Sequence, residues 1–460
     1  MKKRLHQHHF SRPPCPVSKC FFGQNFVISS LSAVSSNLRG QRNTFWIRHT
    51  RDEKIFPLCE KIGKEKLGAN VERGYDVEAV IRNVRENLVQ NVTPVLTFHY
   101  PLADRAFISM IDEELILEGM RDKVVMVGYQ HTLADYGAKA AEEAGSTIAA
   151  NRSRRKTAKY LSRVYEILDV GIAVSKSVRD SIGEILGSTG IAVERIVGLL
   201  EKIAVVGNGV DQVIYSPASE EEKQEMRESL GISPKVKRLV AFVGRIDDMK
   251  GGDVLAELTK AVEESKNSED EEIGFVIATG DVLNNHGTIR PSSLENLKEF
   301  LSRKRLIEEG RLKIVVDVAK YVRGDERFGD ELDELLESEL MNEVSGNGVF
   351  GGFTTFSVQK SADVTVLPSR SEAHPLVVLE SLSAGTPVVV SRCGESTTEL
   401  VESSGGYVVD AESRADAVIG YLEQIRSLNG TRIDLKNVPD DVSMYTKVEE
   451  VILSRIGGGN

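Results

Sequence analysis

Several features that would place this chain quickly are missing. It has four cysteines in 460 residues, Cys15, Cys20, Cys59 and Cys393. They are too few and too scattered for a disulfide framework, so they read as reduced thiols. There is no basic excess: the formal net charge is -11, which argues against a broad nucleic-acid footprint and leaves nucleic acid out of the expected partners. No run approaches the ~20 apolar residues of a membrane-spanning helix. The first residues, MKKRLHQHHFSRPPCPVSKC, have no apolar core, so they do not read as a secretory signal and a cytoplasmic placement is expected. The Asn-x-Ser/Thr matches at Asn91, Asn151 and Asn429 are then chance matches. His6, His8 and His9 with Cys15 and Cys20 fit no zinc spacing, and residues 1–20 read as an irregular, frayed terminus. No internal repeat appears at solenoid periods.

What is present is an ordinary globular composition, 41% hydrophobic and 28% charged, long enough for about two to three domains. Short apolar runs alternate with helix-patterned segments: NTFWIR (43–48), PVLTFH (94–99), KVVMVGYQH (123–131), VGIAVS (170–175) and KIAVV (202–206). The series continues with RLVAFVG (238–244), GFVIATG (274–280), LKIVV (312–316), DVTVLPS (363–369), TPVVVS (386–391) and GYVVD (406–410). Continuous apolar strands separated by helices mean parallel sheets covered on both faces, so the fold class is doubly wound α/β. Ligands are then expected beyond the carboxyl ends of the strands. Near the start, Val27, Ile28, Leu31, Val34 and Leu38 form a helical stripe closed by Gly40, but the strand expected before Gly23 is hard to find in so polar a stretch. A hinge is expected at VVGNGVDQVIYSP (205–217), and the acidic stretches SEDEE (268–272) and DELDELLESEL (330–340) read as solvated faces.

Gly346, Gly348 and Gly351 spell a literal G-x-G-x-x-G. A dinucleotide loop must leave a strand and open a helix. This one follows an acidic helix and has no helical stripe behind it, so it reads as a turn, and a dehydrogenase is a poor candidate.

The segment RSEAHPLVVLESLSAGTPVVV (370–390) is more informative. Pro375 suits the first turn of a helix and Gly385 its end. Glu380 falls on the same face as Leu376 and Val377, where an unpaired acid would be costly. A ribose diol offers two donors to one such carboxylate, while the amides near Leu376 and Val377 can hold phosphate. Glu372, before the helix, can reach beyond that phosphate. A solvated Glu380 and a helix-capping Glu372 is the other reading of the same residues. FVGRIDDMKGG (242–252) adds Arg245 and Lys250 on a strand-end loop flanked by Gly244, Gly251 and Gly252, a pair of cations suited to a diphosphate.

Together these stretches resemble the family 4 (group 1) retaining glycosyltransferases of GT-B fold. GRIDDMKGG is similar to that family's G-R-x4-K-G. SEAHPLVVLESLSAGTPVV is similar to its E-x7-E with A-x-G-x-P-V-V, and VVGNGVD to its P-N-G-V-D hinge. GIAVSKSVRDSI (171–182) and the Gly23 loop with its helix and strand look like further family segments. The resemblance implies two Rossmann-like domains facing a central cleft. An acceptor-side domain would span 21–206, with a tail from about 430 to 460 crossing back to it, and a nucleotide-sugar-binding domain would span 207–429. It implies transfer of a sugar from a nucleoside-diphosphate-sugar donor to a sugar, lipid-linked or small-molecule acceptor with retention. No cofactor and no metal are implied, because Arg245 and Lys250 neutralise the leaving diphosphate. By the same resemblance Glu372 holds sugar hydroxyls, Glu380 the ribose, and His131 reaches the donor sugar, with Gly23, Asn208, Pro375, Leu376 and Val377 lining the donor site. His99, ending its own strand, is a second candidate. The chain departs from the family pattern at Ala373-His374-Pro375, where many members have Gly-Phe-Gly, at Gly207 for Pro, and at Phe22-Gly23 for Gly-Gly.

Two rival readings stay open: another GT-B enzyme such as a nucleotide-sugar epimerase, and a catalytically silent nucleotide-sugar binder. NRSRRKTAKYLSR (151–163) holds six basic residues and no acid. It suits anionic lipid headgroups at a cytoplasmic membrane face, a solvated helix face, or an acceptor phosphate.

Overall fold

A computed structural model describes residues 76–99, 105–134, 145–279, 291–316, 355–428 and 433–457, three further strands by their backbone (4–11, 42–47 and 69–73), and a few isolated positions. The chain divides into two compact units, Met1–Gly209 with Pro439–Asn460, and Val210–Val438. Among the described residues no helix is long and apolar enough to cross a membrane.

The first unit is built on seven parallel strands: β1 (Arg4–Ser11), β2 (Arg42–Ile47), β3 (Ala69–Arg73), β4 (Val92–Phe98), β5 (Val125–Gln130), β6 (Val170–Ala173) and β7 (Ile203–Val205). Their order is β3-β2-β1-β4-β5-β6-β7. The chain winds outward from β1 to one edge, returns, and winds outward again from β4, so β1 and β4 flank the switch point where a doubly wound sheet receives ligands. The helix Asp441–Gly457 packs back against β5 and β6. Its approach is close: the Gly209 amide donates to Met444 Sδ at 3.1 Å, and a Cβ on Gly209 would lie 2.3 Å from the Asp440 carbonyl oxygen.

The expectation of an irregular terminus over 1–20 fails for Arg4–Ser11. That stretch is a central strand, paired along its length with β2 on one side and β4 on the other. A polar sequence can hold this place because the ladder bonds are made by backbone groups, whereas apolar runs report side-chain burial. The strand Ala69–Arg73 was missed for the same reason. Gly23 and the glycines at 346, 348 and 351 lie outside the described residues.

The second unit has six parallel strands: β8 (Arg238–Val243), β9 (Ile273–Thr279), β10 (Leu312–Val316), β11 (Val364–Leu367), β12 (Val388–Ser391) and β13 (Tyr407–Val409), in the order β10-β9-β8-β11-β12-β13. β9 is buried at every position, as a strand covered on both faces must be. Phe242, Phe275, Leu255, Leu258, Phe300 and Tyr421 are among the large side chains of its core. The Tyr421 hydroxyl donates to the Leu367 carbonyl at 3.0 Å, so a core aromatic also fixes the end of β11. Here β8 and β11 flank the switch point.

Candidate active site

The loops that leave β8 and β11 therefore emerge side by side. The first runs from Gly244 to Gly251. Asp247 Oδ1 accepts from the Lys250 amide at 3.0 Å, capping the short turn Asp248–Lys250. Its other oxygen stands 3.2 Å from Arg245 Nε. One buried aspartate thus holds the Arg245 guanidinium and the backbone at Lys250. Gly251 follows with φ 75°, and a Cβ there would lie 2.0 Å from the Pro368 carbonyl oxygen. Only glycine allows the two loops to approach so closely. Gly252 then opens the helix Gly252–Glu264.

The loop after β11 is tied to the first one. The Arg370 amide donates to the Met249 carbonyl at 3.0 Å, and the Arg370 guanidinium grips Asp253 at 2.7 and 3.1 Å. Lys250 Nζ lies 2.6 Å from Glu372 Oε1, 122 positions further along the chain. Glu372 is 7% exposed, and its amide donates to the Cys393 carbonyl at 3.1 Å. Burial, aided by the Glu372 charge, pushes the neighbouring Cys393 thiol up to about 12, so it is protonated at neutral pH. His374 is half-buried, and the desolvation of its ring pulls its imidazole down to about 4 and keeps it neutral.

The helix expected after Glu372 spans Leu376–Ser383 and ends at Gly385, whose φ is 76°. Pro375 occupies the N-cap position, one residue ahead of the expected first turn. The amides of Leu376 and Val377 precede the first helical bond, from the Val378 amide to the Pro375 carbonyl at 3.2 Å.

Glu380 is on the inner face, 4% exposed. It has protein partners that the sequence reading did not supply. Gln359 Nε2 donates to Glu380 Oε2 at 3.3 Å and to the Val377 carbonyl at 3.0 Å, and the Tyr215 hydroxyl also bonds to the carboxyl group. Desolvation outweighs these bonds and pushes Glu380 up to about 7. Tyr215 lies inside the hinge segment quoted above, so it was visible but unassigned. Gln359 carries no motif, and Asp247 is hidden in a run of two aspartates.

Buried polar atoms at the same end of the sheet are unsatisfied. Thr279 Oγ1 closes β9, Ser369 Oγ follows β11, and Gln359 Oε1 stands beside Glu380; among the described residues none has a hydrogen-bond partner. Such orphans are uncommon in native interiors and are what a polar ligand would satisfy. Arg245, Lys250, Glu372, Pro375, Leu376, Val377 and Glu380 thus belong to one end of the second unit. His131 and Asn208, both buried, belong to the first.

Two doubly wound parallel sheets in successive units, with a cation-bearing glycine loop and an acid-flanked helix at the second switch point, define a GT-B protein. Solved structures similar to the chain carry the same fold. Anabaena Alr3699/HepE in complex with UDP and glucose matches with TM-score 0.59 at 13% identity, covering 97% of this chain and 99% of that one. The catalytic domain of starch synthase IV from Arabidopsis thaliana, bound to ADP and acarbose, matches with TM-score 0.60 at 12% identity, covering 99% and 100%.

Residues 312–424 match the family model described as glycosyl transferases group 1. The D-inositol 3-phosphate glycosyltransferase of Corynebacterium urealyticum is 29% identical over 246 residues, 53% of this chain and 48% of that protein. That of Corynebacterium glutamicum is 28% identical over 226 residues, 48% and 44%. The chain spans about half the length of the relatives it matches. By these matches residues 312–424, and about half of the chain more distantly, are similar to the group 1 glycosyltransferases.

Proposed function

We propose that the protein transfers a sugar from a nucleoside-diphosphate-sugar to an acceptor with retention of anomeric configuration. The observation that carries this reading is the Lys250–Glu372 pair at the switch point, flanked by Arg245 and the first turn of Leu376–Ser383. A carboxylate has about four lone-pair sites and an ammonium three donors, so the pair keeps capacity for a ligand on both sides. Lys250, Arg245 and the Leu376 and Val377 amides would stabilise the leaving diphosphate in advance of the reaction. Glu372 would accept from the donor sugar's hydroxyls, and Glu380 from the ribose diol. The relatives named as acting on D-inositol 3-phosphate make a phosphorylated cyclitol one acceptor to try. On this reading no metal is needed, and turnover survives a chelator.

The test is a panel of UDP-, GDP- and ADP-sugars, measured for binding by calorimetry and for donor hydrolysis or transfer. Binding of one class with loss of turnover in Arg245→Ala supports the reading. A donor rearranged without any acceptor would mean an epimerase, and binding without turnover a silent binder. No binding by any donor would overturn the reading.

A contact with anionic lipid belongs to the same proposal. On the helix Thr147–Ile167 the exposed Arg152, Arg155, Lys156, Lys159 and Arg163 fall on one stripe at helical spacing. None forms an ion pair among the described residues. Ile148, 81% exposed, continues the stripe. At ~1 kcal/mol per cation such a face binds anionic headgroups in a salt-sensitive way. Co-sedimentation with phosphatidylglycerol vesicles, absent with phosphatidylcholine alone, is the expected result; equal binding to both would refute it.

A further inference from the structure

Two histidines close neighbouring strands of the first sheet. His99 follows β4 and His131 follows β5, and the register Thr97↔Val127, Phe98↔Gly128 runs on to bring residue 99 beside residue 129. Side chains two apart on a strand share a face, so Tyr129 and His131, and His99 across the ladder, stand together. Their rings are layered. Tyr129 and His131 lie 4.6 Å apart between centroids at 14°, His99 and His131 5.3 Å apart at 20°, and His99 and Tyr129 5.4 Å apart at 24°. All three are buried. Within this layer His99 Nδ1 faces His131 Nε2 at 3.0 Å.

Two ring nitrogens at that separation hold one proton between them. Two bare lone pairs would repel, and two N–H groups would collide. The tautomers of a neutral pair are therefore coupled. If His99 donates from Nδ1, its Nε2 is bare and His131 carries its proton on Nδ1. If His131 donates from Nε2, its Nδ1 is bare and His99 carries its proton on Nε2. In either case one outer nitrogen is a donor and the other an acceptor. Burial keeps His131 neutral, its imidazole pulled down to about 3.

We propose that His99 is a positioning residue for His131. By engaging Nε2 it leaves Nδ1 as the ring nitrogen that His131 can turn to a ligand, and it sets whether that nitrogen gives or accepts a hydrogen bond. Tyr129 stacks on both rings and holds their planes, so the pair keeps its alignment. His99 ends β4, one of the two strands at the switch point of this sheet, where a ligand of the first unit is expected. The relevance of the pair to sugar transfer rests on the function proposed above; the pair itself does not.

The full chain, labelled at its eight histidines, is examined by nitrogen NMR near neutral pH, with His99 and His131 assigned by loss of signal in His99→Phe and His131→Gln. The expected wild-type result is one neutral tautomer at each of the two residues, in a matched pair. His99→Phe keeps a ring in the stack but removes the nitrogen, and His131 shifts toward a tautomer average. His99→Asn, whose amide can give or accept near the position of Nδ1, restores the wild-type pattern. With UDP-glucose as the probe donor, hydrolysis should fall on the order of tenfold or more in His99→Phe, chiefly in kcat, and recover in His99→Asn. Averaged tautomers of His131 in the wild type, or identical His131 signals in wild type and His99→Phe, would overturn the proposal. Absence of any UDP-sugar turnover in the wild type would count against that donor class instead, and the spectra would still decide the pair.

Discussion

Replacing Glu380 with glutamine should make the fold harder to unfold above neutral pH while weakening nucleotide binding. The carboxyl group is buried, and desolvation lifts it from an ordinary value of 4.5 to about 7 against the pull of Gln359 and Tyr215. A raised carboxyl favours the protonated form in the folded state. Its contribution to stability is therefore present below the unfolded value near 4.5 and is lost as pH rises through about 7. A gap of two to three pH units corresponds to roughly 3 kcal/mol of lost stability above pH 7, and to less than about 1 kcal/mol at pH 5. Glutamine keeps a carbonyl oxygen for the Gln359 amide and the Tyr215 hydroxyl but has no charge to desolvate. Urea unfolding of wild type and Glu380→Gln at about pH 5 and about pH 8 reads the difference directly. The gain should be small at the lower pH and grow by roughly 2–3 kcal/mol at the higher. Calorimetry should meanwhile show nucleotide binding weakened by about 1–3 kcal/mol, because one acceptor of the proposed ribose contact becomes a donor. A stability difference that is the same at both pH values would refute the reasoning, since it would mean that Glu380 does not ionise in the fold across this range.

Lys250→Met should leave Glu372 buried beside no cation and lower stability by about 1–3 kcal/mol, and adding Glu372→Gln should recover most of that loss without recovering turnover. Recovery of both would mean that the pair is only structural. Gly251→Ala would put a methyl group 2.0 Å from the Pro368 carbonyl at φ 75°, so thermal unfolding should show a loss of about 2 kcal/mol or more; a change within about 0.5 kcal/mol contradicts the close approach. Arg245→Ala should cut turnover by on the order of a hundredfold while the fold stays intact by circular dichroism, and an unchanged rate removes Arg245 from the site. His374, held neutral with its imidazole near 4 against an ordinary 6.5, makes stability fall as pH drops from about 6.5 toward 4. His374→Gln should flatten that part of the profile, and an unaltered acid limb would show that the ring already titrates freely.

Much of this molecule was legible without coordinates. Eleven apolar runs marked strands because a parallel strand covered on both faces must be apolar at successive positions. The glycines around Arg245 and Lys250, and the proline and glycine bracketing Leu376–Ser383, marked loop and helix ends because their backbone limits are local. The strands Arg4–Ser11 and Ala69–Arg73 were not legible, since what holds them is backbone pairing that leaves no side-chain pattern. Nor was the company each charged group keeps. Lys250 and Glu372 meet only because β8 and β11 are neighbours in a crossed-over sheet, and Glu380 finds Gln359 and Tyr215 from two distant segments. Local periodicity and residue type were enough to set most of the elements and the residues able to do chemistry, the two polar strands excepted. Tertiary structure alone decided which of those residues touch, because contact between segments so far apart in the chain depends on strand order and no local pattern encodes it.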